Sequence, residues 1–401
     1  MSDRGGFLFA FIVVFVIFFD ELFTCFLFSR NIILENGGLK QYEAMILASF
    51  GYSLLLFDIF KQRISRLEVR TILFMFFILI LFWFTQLRFP NSSSSFRNYF
   101  LLFGSECIPA AYIGARLGRD FSSNKVDSIL PFFIVIVSVL LGVLGWEYIR
   151  SGVLIKSDDR AINYQTMSYY MAFCYSYCAY LLLFSQRFQS ARSWLIRLIL
   201  FFDMLFCAIM CLLNGGRGAF VYIVVITFYL LIRLFRSSKL KKGTAVLVIA
   251  FVSFLFVYLS FHFNVWNSVG MSRVLGHLTD DDIRIQRYAN GISVFLDSPV
   301  FGKGIGSVWM TIGFYSHNLF IDLLAETGLI GTLLFSGILI LLFVRLFRLT
   351  KINSNVALIL IVGIGALLES MFSGYWLAMY KIYFVCAFSY CARISNCSGT
   401  N

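Results

Sequence analysis

Apolar runs of roughly 18–22 residues recur from one end of this chain to the other, and each can cross a hydrocarbon core of about 30 Å. Short polar stretches separate them. The pattern predicts helices near 7–28, 42–60, 69–88, 99–116, 129–148, 166–185, 195–213, 218–233, 244–263, 318–344, 354–372 and 374–392. The fold class this implies is an all-α polytopic membrane protein of about twelve transmembrane helices. A Gly-rich interruption at 214–217 splits what would otherwise be one continuous apolar stretch. The longest polar connection, 263–317, lies between the predicted ninth and tenth helices. It contains Trp266, Tyr288, Trp309 and several glycines, which predicts a folded loop.

Composition sharpens this picture without changing it. Of 401 residues 60% are hydrophobic and only 13% charged, with a mean hydropathy of +0.83. No soluble globular domain has such a balance, so residues 1–401 read as a single integral membrane domain. The net charge of +12 would raise nucleic acid as a partner in a soluble protein. Here it belongs to membrane topology, because cytoplasmic loops are enriched in Lys and Arg. One alternating set of loops holds Lys61, Arg63, Arg66 and Arg70, then Arg116, Arg119 and Lys125, then Arg187, Arg192 and Arg197. It continues with Arg233, Arg236, Lys239, Lys241 and Lys242, and ends with Arg345, Arg348 and Lys351. These loops are predicted to face the cytoplasm, with both termini. The run after Arg4 reads as an uncleaved first membrane helix. Asn91–Ser95, the segment around Asp158 and Asp159, and 263–317 then face outward. Cys174 and Cys178, like Cys207 and Cys211, stand four apart on one helix face and serve as small apolar filler. No disulfide, metal or other cofactor is expected.

The candidate chemistry collects on the outer side. Asn214-Gly215-Gly216-Arg217 places an arginine at a helix start and at membrane depth, where free N–H groups and a guanidinium suit an anion. A snorkelling arginine that marks a helical hairpin is the alternative, but intramembrane charges are costly and usually functional. The run Asp280–Leu296 begins with three acids, which complement a helix dipole. It continues with Ile285, Ala289, Ile292 and Leu296 or Phe295 on one side. Arg284 shares a face with Arg287 or Tyr288. A solvated helix with an internal Asp–Arg pair and a ligand-binding helix are equally open readings of this run. Pro299-Val300-Phe301-Gly302-Lys303-Gly304-Ile305-Gly306 reads as a structural turn, with an anion-binding nest as the alternative. Ser316-His317-Asn318 stands where the long loop meets an apolar helix carrying Asp322 and Glu326. An imidazole there can move protons near neutral pH. His262 and His277 read as structural hydrogen-bonders. Asp203, Glu106 and Glu369 read as packing or helix-contact residues, with Glu369 the best placed of them for a functional role.

Arg217 in its Gly-rich turn, Arg284-x-x-x-Tyr288, Pro299-x-Phe301-Gly302-x-Gly304-x-Gly306 and His317-Asn318 followed by Glu326-x-Gly328-Leu329-Ile330-Gly331 occur in this order. The ordered set, over about 210–335, resembles the bacterial O-antigen polymerase and O-antigen ligase superfamily. The resemblance implies a GT-C-type glycosyltransferase bundle with one large periplasmic loop, in the bacterial inner membrane. It implies a donor glycan carried on undecaprenyl diphosphate, transferred with inversion and without a metal. Arg217 and Arg284 would then hold the diphosphate, and His317 would take the acceptor's proton. Arg287, Tyr288, Asn318, Glu326 and Glu369 are further candidate substrate contacts. A chain-length regulator and a flippase are the candidate protein partners, alongside bilayer lipids. The wording of Ser316–Gly328 is closer to polymerases, whereas twelve helices and one large loop suit a ligase. A transporter of lipid-linked oligosaccharide is the rival class; it would usually carry internal repeats, and none is visible.

Overall fold

The computed structural model describes residues 11–19, 38–88, 99–119, 130–151, 164–185, 194–236, 258, 261, 280–353, 355–372 and 374–392. The predicted span near 244–263 lies outside them except at 258 and 261. So do the ends of the span near 7–28, the loop segments at 91–95 and 157–160, His262, His277 and the first part of the long loop.

Every regular element among the described residues is helical. In chain order they are α1 (11–19), α2 (Gly38–Phe60), α3 (Arg66–Arg88), α4 (99–119), α5 (Leu130–Ser151), α6 (Tyr164–Phe184) and α7 (Trp194–Asn214). There follow α8 (Arg217–Arg236), α9 (Asp280–Leu296), α10 (Ser307–Ile312), α11 (Leu319–Ile352), α12 (Val356–Phe372) and α13 (Tyr380–Cys391). Among the described residues four stretches are long and apolar enough to cross a membrane: Arg66–Thr85, Trp194–Asn214, Arg217–Arg236 and Leu319–Ile352. Ala44–Phe60, Leu130–Val143 and Val356–Phe372 are shorter apolar helices. This is the architecture of a helical membrane protein.

The chain forms two compact units, one of residues 1–40 and 124–278, the other of 41–123 and 279–401. In the first, α6 packs against α7 and α8. Asp203 is buried in α7, and its carboxylate accepts from Ser138 Oγ at 2.5 Å and from Cys178 Sγ at 3.2 Å. In the second unit α4 and α13 approach with backbones in contact. A Cβ on Gly114 would meet the Phe384 carbonyl oxygen at 2.1 Å, and one on Gly118 the Phe388 oxygen at 2.5 Å. Small residues four apart allow this closeness in helical membrane proteins. One end of the unit is tied by buried ions. Asp58 accepts from Tyr112 Oη and Arg116 Nε, both at 2.6 Å, and Glu68 pairs with Arg119 at 2.6 Å.

Two elements differ from the spacing-based expectation. The predicted helix over 374–392 starts only at Tyr380. Residues 374–379 leave the α-helical form, keeping only a 3-10 turn over Trp376–Ala378, because Tyr375 and Trp376 reach Glu326, while Leu377 offers its carbonyl to Cys107 Sγ. The predicted helix over 318–344 runs on to Ile352, but it breaks at Gly328, whose φ of 66° and ψ of −170° are non-helical.

Candidate functional site

In the first unit the break before α8 is a pinned turn. Gly215 takes a left-handed φ of 78°. The Gly216 N–H donates to Ser168 Oγ at 3.0 Å, and a Cβ on Gly216 would meet Ser168 Cβ at 2.4 Å. Asn214 folds its amide back onto the Met210 carbonyl at 2.8 Å. Arg217 is therefore held, partly buried, at the first residue of an apolar helix. The positive dipole end of that helix reinforces its charge.

In the second unit, the residues around His317 form a tightly specified corner. Asn318 caps α11, its Oδ1 accepting from the N–H of Phe320 at 3.0 Å and of Ile321 at 3.3 Å. Asp322, fully buried one turn on, accepts from the Ser316 N–H at 2.9 Å. Ser316 Oγ in turn receives the Asn318 N–H at 3.2 Å. Between these anchors His317 is forced to a φ of 63°. A left-handed backbone at a residue bearing a Cβ costs roughly 1–2 kcal/mol and persists only where its surroundings over-determine it.

The forced turn presents the imidazole to Arg287, which donates from Nη1 to His317 Nε2. A guanidinium has only donors, so Nε2 is the accepting nitrogen and Nδ1 carries the proton. Arg287 also lies over the Phe314 ring, 5.1 Å from its centroid. α9 can lie this near because a Cβ on Gly291 would meet Ile321 Cγ2 at 2.6 Å. Arg284, one turn earlier on α9, is half-buried. Tyr288 is half-buried on the same helix.

Aromatic rings back this corner. Tyr315 sits 4.3 Å from the His317 ring, stacks on Trp309 at 5.8 Å and meets Tyr375 at 5.5 Å. Tyr99 packs on Tyr375 and Trp309 at 5.0 and 5.1 Å. Burial pushes the Tyr315 phenol up to about 12; the Asp322 carboxylate adds to this and the Arg287 guanidinium opposes it. The phenol stays protonated at neutral pH and remains a donor.

The glycine motifs behind His317 are two halves of one lock. At the Gly328 break, Leu329 and Ile330 turn their N–H groups to the carbonyls of Pro299 and Val300, at 2.8 and 3.3 Å. The helical carbonyls left over, Ala325 and Glu326, accept instead from Lys303 and Gly304 at 3.0 and 2.9 Å. The backbones meet so closely that a Cβ on Gly302 would lie 2.4 Å from the Glu326 carbonyl. One on Gly328 would lie 2.4 Å from that of Val300. Each buried backbone group thus finds a partner across the break.

Glu326 is buried, with one oxygen accepting from Tyr375 Oη at 2.7 Å and the other from Trp376 Nε1 at 2.9 Å. Glu369 pairs with Lys381 at 3.3 Å, tying α12 to α13. Arg284, Arg287, Tyr288, His317, Asn318, Glu326 and Glu369 all belong to the second unit, and Arg217 to the first. Sequence reasoning passed over Tyr99, Tyr315 and Tyr375, and read Trp309 only as a sign of a folded loop. Aromatic residues are so common in an apolar chain that only their convergence marks these four. Among the described residues no three of His, Cys, Asp and Glu are grouped to hold a metal ion.

No curated protein and no solved structure matches the chain. A family model described as O-antigen ligase matches residues 202–336. The match starts within α7 and takes in Arg217, α9, the glycine lock and His317, the segment over which the motifs carry the resemblance. The chain therefore contains an O-antigen ligase family domain at residues 202–336, in keeping with the O-antigen polymerase and ligase superfamily.

Proposed function

We propose that this protein is an inner-membrane O-antigen polymerase, a GT-C-type bundle of about twelve spans that joins undecaprenyl-diphosphate-linked repeat units at the periplasmic face. The observation that carries the reading is the Arg287–His317 pair, set at a capped helix start with Arg284 one turn away. In the reaction an acceptor hydroxyl attacks the anomeric carbon of the donor sugar. The bond from that carbon to the diphosphate breaks, the diphosphate leaves with the electron pair, and the configuration inverts. His317 takes the hydroxyl proton on Nε2. Arg284 and Arg287 stabilise the charge growing on the leaving group, a contribution that fixed cations make without rearrangement. A diphosphate beside α9 competes for the Arg287 guanidinium, which frees the Nε2 lone pair when the donor is in place. Arg217, fixed at the start of its own helix, is proposed as a further essential cation. The reading calls on no metal ion or organic cofactor, and its partners are the lipid-linked glycan, bilayer lipids, a chain-length regulator and a flippase.

The ligase reading, transfer of the finished chain to lipid A core, is favoured by the description of the matched family. One gel separates the two. Deleting a polymerase leaves lipid A core capped by a single repeat unit, whereas deleting a ligase leaves bare core, with polymer stranded on undecaprenyl diphosphate. In the same strain His317→Ala, Arg217→Ala and Arg284→Ala are expected to abolish the polysaccharide ladder at normal membrane levels. An unchanged ladder from His317→Ala would remove the base from the mechanism.

A further inference from the structure

The helix α9 is turned inside out for a segment surrounded by water. At about 100° per residue, Ile285, Ala289, Ile292 and Leu296 fall within one narrow stripe. In a soluble protein such a stripe faces the core. Here it is the outer face: Ile285 is 64% and Leu296 67% exposed, and Ala289 and Ile292 are exposed with them. The face turned into the protein holds Gly291 and Val294, both buried, with Arg284, Arg287 and Phe295 half-buried beside them.

The apolar surface continues beyond the helix. Val300 is exposed and Phe301 is 75% exposed. Pro299 and Val300 are hydrogen-bonded to Leu329 and Ile330 of α11, themselves exposed. From there the surface runs along α11 through Leu333, Leu334 and Leu341. That helix is long and apolar enough to cross a membrane, so its exposed side chains face lipid. The stripe on α9 and the tip at Phe301 are thus continuous with a lipid-facing surface.

We propose that α9 and the Pro299–Gly302 turn form an interfacial element seated in the bilayer, with Ile285, Ala289, Ile292, Leu296, Val300 and Phe301 among the acyl chains. Amphipathic helices bind membranes in this way, with the apolar face sunk to the boundary between headgroup and acyl chain. Arg284 and Arg287 are thereby held on the protein side at headgroup depth.

The test uses the full-length protein in phosphatidylethanolamine and phosphatidylglycerol vesicles, with the benzophenone analogue of phenylalanine installed at position 301 and, separately, at 292. Position 333 on α11 is the internal control. Illumination is expected to give at 301 and 292 a mass shift of one phospholipid, as at 333. A covalent dimer would identify a second copy of this chain as the occupant and overturn the proposal. So would a cross-link to another segment of the same chain. Lipid adducts at 333 with none at 301 and 292 would place the element in water and overturn it as well. The analogue keeps the aromatic ring of Phe301, and lipid labelling at 333 in the same preparation reports that the protein is folded and inserted.

Discussion

At His317 two demands fall on one residue. The backbone must be left-handed between the Ser316–Asp322 and Asn318 anchors, and the side chain must offer Nε2 to Arg287. Substitutions separate the two. Asn tolerates the left-handed region well, so His317→Asn is expected to leave thermal stability in detergent nearly unchanged. On the base role proposed for His317, it should still lower glycosyl transfer by about a hundred- to ten-thousand-fold, the usual contribution of a general base. His317→Val imposes a β-branched side chain on the same φ and is expected to lower stability by about 1–3 kcal/mol as well. Equal melting temperatures for the two variants would show that the backbone there relaxes freely. Why a histidine can stand at this junction was legible, since Ser316, Asn318 and the apolar run after them mark a capped helix start. Its contact with Arg287 was not. Thirty residues separate the two, and nothing in either neighbourhood reports the Gly291–Ile321 approach that closes the gap.

Among the elements, the exchange across Gly328 makes the sharpest prediction. A methyl group at 328 would meet the Val300 carbonyl carbon and oxygen at 2.4 Å, on a backbone with φ of 66°. Gly328→Ala is therefore expected to cost about 3 kcal/mol or more, from overpacking together with backbone strain. Urea or thermal unfolding in detergent would measure it. Gly302→Ala should match it, and the double variant should fall well short of the sum, because both break the same contact. An additive double variant would mean that the two glycines act separately. Helix extents elsewhere were largely legible from run length, as at α3, α7 and α12. The late start of α13 was not: Tyr375 and Trp376 look like ordinary helix residues until Glu326, some fifty positions earlier, draws them out. The stripe on α9 shows the same limit differently. Its spacing could be read from Ile285 to Leu296, but a repeat of apolar positions does not say whether protein or lipid covers it.

On the scale of the whole molecule, apolar run length was the legible signal, because the thickness of a bilayer sets the length of a spanning helix. The ion cluster at one end of the second unit was not, although each of its members stands in plain view. Asp58 and Glu68 are fully buried, and Arg116 and Arg119 spend their charge on them rather than on solvent. Asp58→Ala would leave Arg116 and Tyr112 without their acceptor and is expected to destabilise the protein by about 3–5 kcal/mol. Asp58→Asn should be milder, since Tyr112 keeps an acceptor. A normal melting curve for Asp58→Ala would show that water replaces the carboxylate at no cost. The lock between Gly302 and Gly328 has a consequence of another kind. It clamps residues 305–324 into a closed loop whose ends cannot drift, and α10, Trp309, Tyr315 and His317 all ride on that loop. Lengthening a loop that is already closed is inexpensive, about 0.6 kcal/mol for each doubling. Insertions near Gly313, where φ is 82° and a Cβ would meet open space, should therefore be tolerated by the fold. They would reshape the surface beside the imidazole while leaving its anchors alone, so under the proposed function one scaffold could be retuned from one glycan to another by changes of length as well as of side chain.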